Sequence, residues 1–284
     1  MNIAVTAASG QLGHAIIDSL LQLTQQNDAL GHNIIALARR PQNVKGLDVE
    51  VRPGDYDQPS QLEDSLKGID TLLLVSGMTD PKDRIPQHRN VINAAKKMGV
   101  KKIVYTSIQG AEEGNAFSPV VQSNRQTEQD VIHSGLEWVI GRNGIYIEPD
   151  IEYIESYRKL GVISNCAGNG KCGYTTRSEL GFAYAKMLLE DKHNGQIYNL
   201  HGEAITQAQL ASYLNQAFAT QLVYHPASSD EFLANRTSEL GEFIGTVITG
   251  IYQGINQGYV DNNSHYQQAS GREHLAWSEF FANL

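Results

Sequence analysis

At 284 residues the chain can bury a full core, as one large domain or as a nucleotide domain with a smaller appendage, and its net charge of -9 leaves no global basic footprint for nucleic acid. Two cysteines, Cys166 and Cys172, are too few for a disulfide framework, and nine dispersed histidines without an H-x-x-x-H pair offer no metal site. No apolar stretch approaches the ~20 residues that span a bilayer, and the N-terminus opens on a strand without a basic n-region, so a cytoplasmic location with no membrane partner is expected.

The stretch from Ile3 to Gly13 runs from a short apolar segment into a small-residue turn and then an amphipathic segment, which predicts strand, phosphate-binding turn and helix. Gly10 and Gly13 hold the last two positions of a G-x-x-G-x-x-G dinucleotide fingerprint, and Ala7 holds the first. Thr6, Ala7, Ala8, Ser9, Gly10, Gln11, Leu12 and Gly13 are therefore expected to contact a dinucleotide; the alternative is a tight turn without a ligand.

Strand-like runs then alternate with helical ones. Strands are predicted over Asn2–Thr6, Asn33–Ala38, Val49–Arg52, Thr71–Ser76, Lys102–Ser107 and Glu137–Gly141. Helices are predicted over Gln11–Leu23, Ser60–Leu66, Pro86–Met98 and Gln122–Ser134. This alternation predicts a Rossmann-type, doubly wound parallel sheet over residues 1–144, with its ligand at the carboxyl ends of the strands beside the first one. After Gly144 the pattern changes to a Gly-rich loop, Cys166–Gly173, and a helix over Ser178–Leu189. A strand over 196–200 is expected to return to the main sheet, with cap helices over Thr206–Phe218, Ser229–Asn235, Glu239–Tyr252 and Leu275–Phe280. Residues 145–284 are thus read as a smaller, mainly helical, interleaved substrate lobe, with Gly254–Asn263 a mobile loop.

The second strand ends Ala36-Leu-Ala-Arg-Arg40, with no acidic residue to take a ribose 2′-hydroxyl. Arg39 suits a bidentate contact with a 2′-phosphate, which points to NADP(H) with NADPH preferred over NADH. In Gly54-Asp-Tyr-Asp57, Asp55 can accept from an adenine amino group with Tyr56 beside it, or it can simply make an Asx turn. Ser76 and Gly77, and Thr106 and Ser107, end the fourth and fifth strands and face the expected crevice, where their hydroxyls serve either a cofactor or local backbone. The chain has no Tyr-x-x-x-Lys pair; the helix where it would lie reads Ser123-Asn-Arg-Gln-Thr-Glu128. His88 falls in the first turn of the preceding predicted helix, where it reads as a general base or, preferably, as a structural histidine. No catalytic residue is assigned.

Together these residues resemble the NmrA-like atypical branch of the short-chain dehydrogenase/reductases, and within it the bacterial type-2 NAD(P)H:quinone oxidoreductases and the triphenylmethane reductases. The resemblance rests on Thr6–Gly13, Arg39, Gly54-Asp55-Tyr56, Pro86–Ala95, Tyr105-Thr106-Ser107, Arg142–Tyr146, Ala167–Lys171 and Thr176-Arg177. It implies an NADPH-binding fold in which a flat, electron-poor acceptor lies between sheet and lobe. It places Asn143 with the cofactor residues and puts Tyr146, Gly168, Lys171, Thr175, Thr176 and Arg177 on the acceptor side. Two residues depart from it: Ala7 replaces the usual first glycine, and Asn124 stands where close relatives tend to have His or Lys. The expected function is hydride transfer from NADPH to a quinone-like small molecule by a monomer or homodimer. The alternative is a redox sensor that binds NADP(H) without turnover.

Overall fold

The βα alternation closes into one parallel sheet. The structure, a computed structural model, describes residues 1–25 and 31–284. The first half runs β1 (Asn2–Val5), α1 (Gln11–Gln25), β2 (Asn33–Ala38), β3 (Glu50–Pro53), α2 (Pro59–Ser65) and β4 (Thr71–Val75). It continues through α3 (Pro81–Lys97), β5 (Lys102–Ile108), α4 (Ser118–Ile132) and β6 (Glu137–Asn143). The remainder is β7 (Ile145–Tyr146), α5 (Glu148–Glu152), α6 (Ile154–Leu160), β8 (Val162–Asn165), β9 (Lys171–Cys172), β10 (Tyr174–Thr175) and α7 (Arg177–Leu189). It ends with β11 (Gln196–Leu200), β12 (Ile205–Thr206), α8 (Gln207–Phe218), β13 (Val223–Pro226), α9 (Ser229–Leu240), α10 (Glu242–Asn256), α11 (Tyr266–Ser270) and α12 (Trp277–Ala282).

Seven strands lie in the order β11-β6-β5-β4-β1-β2-β3, and every pairing is parallel. The order reverses between β1 and β4, so the switch point lies beside the first strand and all strand ends open on one edge. The strand Gln196–Leu200 pairs with β6, as its apolar pattern requires. Helix α1 buries Leu12, Ile16, Ile17 and Leu20 at helical spacing against one face of the sheet, beside α7. The other face is covered by Leu62, Val91, Ile92, Ala95 and Val131 of α2, α3 and α4. A third apolar cluster around Ile147, Ile163, Tyr174, Leu214, Trp277 and Phe281 belongs to the later segments.

Several expected boundaries move. Helix α3 starts at Pro81 rather than Pro86, because Asp80 accepts the Lys82 N–H at 3.0 Å and Pro81 takes the first helical position. Pro86 lies inside the helix, and His88 is accordingly in its third turn and not its first. Helix α4 begins at Ser118, four residues early. The stretch Gly254–Asn263 is not a free loop: α10 continues to Asn256, and the Val260 carbonyl accepts the Gly173 N–H at 2.7 Å with its side chain buried. Small residues within α10 serve packing there, since a Cβ on Gly250 would overlap the backbone of Phe117.

Candidate functional site

The turn after β1 is built by close backbone approach. Ala7 adopts the left-handed region at φ 51°, which lets its carbonyl accept the Gly10 N–H at 2.9 Å. A Cβ on Gly13 would stand 2.5 Å from that carbonyl oxygen, so only glycine lets α1 start here. Ala8, Leu12 and Gly13 are buried, while Ser9, Gly10 and Gln11 face outward around the open N-terminus of α1. The first N–H groups of a helix have no intrahelical acceptor and carry the positive end of its dipole, so this turn can hold an anion such as a pyrophosphate.

On the next strand ends, Arg39 and Arg40 are exposed, and among the described residues neither guanidinium has an ion-pair partner within 4 Å. Gly54 comes against β2, its N–H donating to the Ala38 carbonyl at 2.9 Å. Asp55 does make an Asx turn: its Oδ1 accepts the Asp57 N–H at 3.1 Å. The Tyr56 hydroxyl lies 2.6 Å from Thr6 Oγ1 and 2.8 Å from the Val75 carbonyl, and Thr6 Oγ1 accepts the Val75 N–H at 2.9 Å. Thr6 and Tyr56 thus stitch β1 to β4 at the switch point, and burial pushes the Tyr56 phenol well above its ordinary pKa.

Beyond β4 and β5 the hydroxyls converge on a buried amide. Thr106 Oγ1 accepts the Ser76 N–H at 2.9 Å, and Asn124 Oδ1 accepts the hydroxyls of Ser76 at 2.9 Å and Tyr105 at 2.7 Å. Asn124 Nδ2 donates to the Val120 carbonyl at 2.8 Å. This oxygen carries no proton, so position 124 orients two hydroxyls and supplies no acid. His88 is fully buried; its Nε2 accepts the Gly77 N–H at 3.0 Å and its Nδ1 lies 2.9 Å from Thr127 Oγ1. Accepting at Nε2 puts the ring proton on Nδ1, and burial with Arg84 nearby pushes the pKa down to about 3. The neutral imidazole has both nitrogens occupied, which leaves no lone pair for general-base work. Ser107 donates to Glu128 at 2.5 Å, a carboxylate also held by Arg125 and Arg142.

At the end of β6, Asn143 is buried with its Oδ1 accepting the Tyr184 hydroxyl at 2.5 Å and its Nδ2 lying 3.4 Å from the Tyr146 hydroxyl. The Arg177 guanidinium lies over the Tyr146 ring, 5.2 Å from its centroid, and 3.6 Å from Glu152. Strand β10 brings Thr175 beside Tyr146, but the threonine hydroxyls turn inward. Thr175 Oγ1 lies 3.2 Å from His274 Nε2, and Thr176 caps α7 by accepting the Glu179 N–H at 3.0 Å. Gly168 packs against Asn256 and Lys171 pairs with Thr206, so the Gly-rich loop meets α10 and β12. Cys172 is buried and desolvation pushes its thiol pKa up, which disfavours the thiolate.

The strand ends therefore gather Thr6–Gly13, Arg39, Asp55, Ser76, Gly77, Thr106 and Asn143 along one edge, with Tyr146 and Arg177 just past it. Asn124, His88 and Tyr184 were not among the expected site residues. One signal was available for the first: Ser123, Asn124, Thr127 and Glu128 put a polar stripe on the face that an amphipathic α4 should bury.

Residues 7–161 match the family described as NAD(P)H-binding. Over 238 residues the chain is 36% identical to quinone oxidoreductase 2 of Escherichia coli (strain K12), covering 82% of this chain and 80% of the relative. The crystal structure of the NADPH-dependent quinone oxidoreductase from Escherichia coli complexed with NADPH superimposes with a TM-score of 0.88 at 31% identity, covering 99% of each chain. The Citrobacter sp. triphenylmethane reductase complexed with NADP(H) does so with a TM-score of 0.87 at 31% identity, covering 99% of this chain and 100% of that one.

Proposed function

The chain belongs to the NAD(P)H-binding family and is an NAD(P)H-dependent oxidoreductase related to quinone oxidoreductase 2, and on that premise we propose that it reduces quinones or similar conjugated electrophiles with NADPH. Residues 1–144 with the returning strand 196–200 serve the cofactor, and residues 145–284 serve the acceptor. The cofactor fits the residues present: the outward-facing Ser9-Gly10-Gln11 turn at the α1 N-terminus suits a pyrophosphate, and the exposed Arg39 suits a 2′-phosphate. NADPH, when bound, supplies the hydride.

The observation that carries the acceptor class is the Asn124 amide. On the helix where a carbonyl reductase of this fold needs an acid, its oxygen is already filled by two donated hydroxyls, and the neighbouring His88 is locked neutral. An acceptor that needs strong carbonyl activation gains nothing from this site. A quinone takes hydride readily, and its reduced oxygens draw protons from water. The protein's work is then orientation and exclusion of solvent, which contributes several kcal/mol in well-ordered sites. Asn143 and Tyr146, at the mouth beyond β6, are the groups that orient the acceptor, with Arg177 holding the Tyr146 ring.

Steady-state oxidation of NADPH with benzoquinone or a naphthoquinone tests this reading. Turnover with quinones, and negligible turnover with simple ketones, aldehydes and nucleotide sugars, is expected. Tight NADPH binding with no oxidation across a panel of quinones and cationic dyes overturns it in favour of a redox sensor.

A further inference from the structure

Glycine in the interior of a parallel strand forfeits side-chain packing and costs conformational entropy, so Gly141 in the middle of β6 needs a reason. The reason is Tyr184. A Cβ on Gly141 would overlap the Tyr184 hydroxyl and lie 2.6 Å from its Cζ, so the missing side chain is the hole into which the phenol of α7 projects. There the hydroxyl donates its single proton between the Gly141 carbonyl at 2.9 Å and Asn143 Oδ1 at 2.5 Å. The side chain is wholly buried, and desolvation raises its pKa so that the proton stays on.

Helix α7 is itself held on three sides. Thr176 caps its first turn, Glu179 is paired with Arg272 at 2.7 Å, and Gly181 meets α1 so closely that a Cβ would stand 2.5 Å from the Ala15 carbonyl oxygen. Tyr184 therefore ties the Asn143 amide to α7, which packs through Gly181 on α1, the helix whose N-terminus carries the Ala7–Gly13 turn.

We infer that Tyr184 is a positioning residue: by donating to Asn143 Oδ1 it turns the amide nitrogen of Asn143 toward the Tyr146 hydroxyl and the acceptor, an inference that rests on the reading of Asn143 given above. Without that bond the Asn143 amide is free to rotate, and its orientation toward the acceptor is lost while the α1 turn and Arg39 are untouched.

Tyr184→Phe removes one oxygen and nothing else, so it keeps the fold. With a naphthoquinone as acceptor it should lower kcat about tenfold, the rate equivalent of one buried hydrogen bond, with the NADPH Kd unchanged. Asn143→Ala should lower kcat at least as much, and by more than it weakens NADPH binding, and the double variant should be no slower than Asn143→Ala alone, because both remove the same contact. Multiplicative losses, or an unchanged kcat in Tyr184→Phe, overturn the inference. A readout independent of turnover uses the ligand-free protein: the Asn143 side-chain amide pair in a 15N–1H spectrum, identified by its absence in Asn143→Ala, should shift and broaden in Tyr184→Phe. An unperturbed pair overturns the inference even if the wild type reduces no quinone, and a perturbed pair supports it in that case while the acceptor reading alone fails.

Discussion

Gly77 donates its backbone N–H to the Nε2 of His88 across 3.0 Å, and the opposite ring nitrogen lies 2.9 Å from Thr127 Oγ1. The histidine thus joins the turn after β4 to α4, and Arg84, one helical turn earlier, holds the same turn through the Thr79 carbonyl at 2.9 Å.

His88→Ala should leave a buried N–H without an acceptor and a cavity beside it, at a cost of about 2–4 kcal/mol of folding stability. Weaker NADPH binding should accompany it if the Ser76-Gly77 turn borders the cofactor as proposed. The pH dependence has a definite sign. Burial lowers the folded pKa from 6.5 to about 3, so the stability from the neutral ring is fully present above pH 6.5 and is lost as pH falls through that window. Urea unfolding from pH 7 to pH 4 should therefore show a steeper loss in the wild type than in His88→Ala. Parallel curves would rule out the neutral, two-bonded ring.

Ala7 offers a gain. A methyl-bearing residue at φ 51° is strained by about 1–2 kcal/mol, and glycine recovers part of that after its larger entropy loss on folding. Ala7→Gly should raise the unfolding free energy by up to about 1 kcal/mol and bind NADPH at least as well as the wild type. Gly13→Ala should do the reverse, because its Cβ meets fixed backbone at 2.5 Å. Calorimetry and a cofactor titration on both variants check the pair; markedly weaker binding by Ala7→Gly would mean that the turn needs the methyl group.

These residues also mark where sequence reading succeeds. The turn around Gly13 and the alternation of β1 to β6 are local patterns: a glycine at a forced close approach, and periods of two and 3.6, show in a few consecutive letters. The start of α3 was hidden because Pro81 and Pro86 both suit a first helical position, and only the Asp80 cap decides between them. Tyr184 was hidden for another reason. Its role is set by a partner brought in by the sheet, across the 41-residue separation of Tyr184 and Asn143, and nothing local to it distinguishes it from a core residue. The later lobe was least legible because β7, β9, β10 and β12 are two-residue strands, too short for any alternation to register.

Arg39 should carry the cofactor preference. Its guanidinium is exposed at the end of β2, no acidic residue replaces it there, and a 2′-phosphate would form a charge-assisted pair with it. Losing such a pair costs about 1.5–3 kcal/mol, so Arg39→Ala should weaken NADPH at least about tenfold and leave NADH nearly unchanged. Fluorescence titrations with both nucleotides decide the matter. Equal affinities in the wild type would remove the basis for an NADPH preference.

Asp150 should give the opposite pH signature to His88. It is buried in the later lobe, where its Oδ1 accepts the Tyr157 hydroxyl at 2.8 Å, and desolvation raises its pKa from 3.8 to about 6. With the folded value above the unfolded one, ionisation opposes folding: no cost exists below about pH 4, and the cost grows as pH rises through 6. Its ceiling is about 3 kcal/mol, from roughly two pKa units of difference. Asp150→Asn keeps an oxygen for Tyr157 and removes the titration. It should stabilise the protein at pH 7 and leave stability near pH 4 almost unchanged, so that its unfolding curves diverge from the wild type as pH rises, whereas those of His88→Ala converge with it as pH falls. Equal destabilisation at both pH values would show instead that the carboxylate is held ionised by its hydrogen bond.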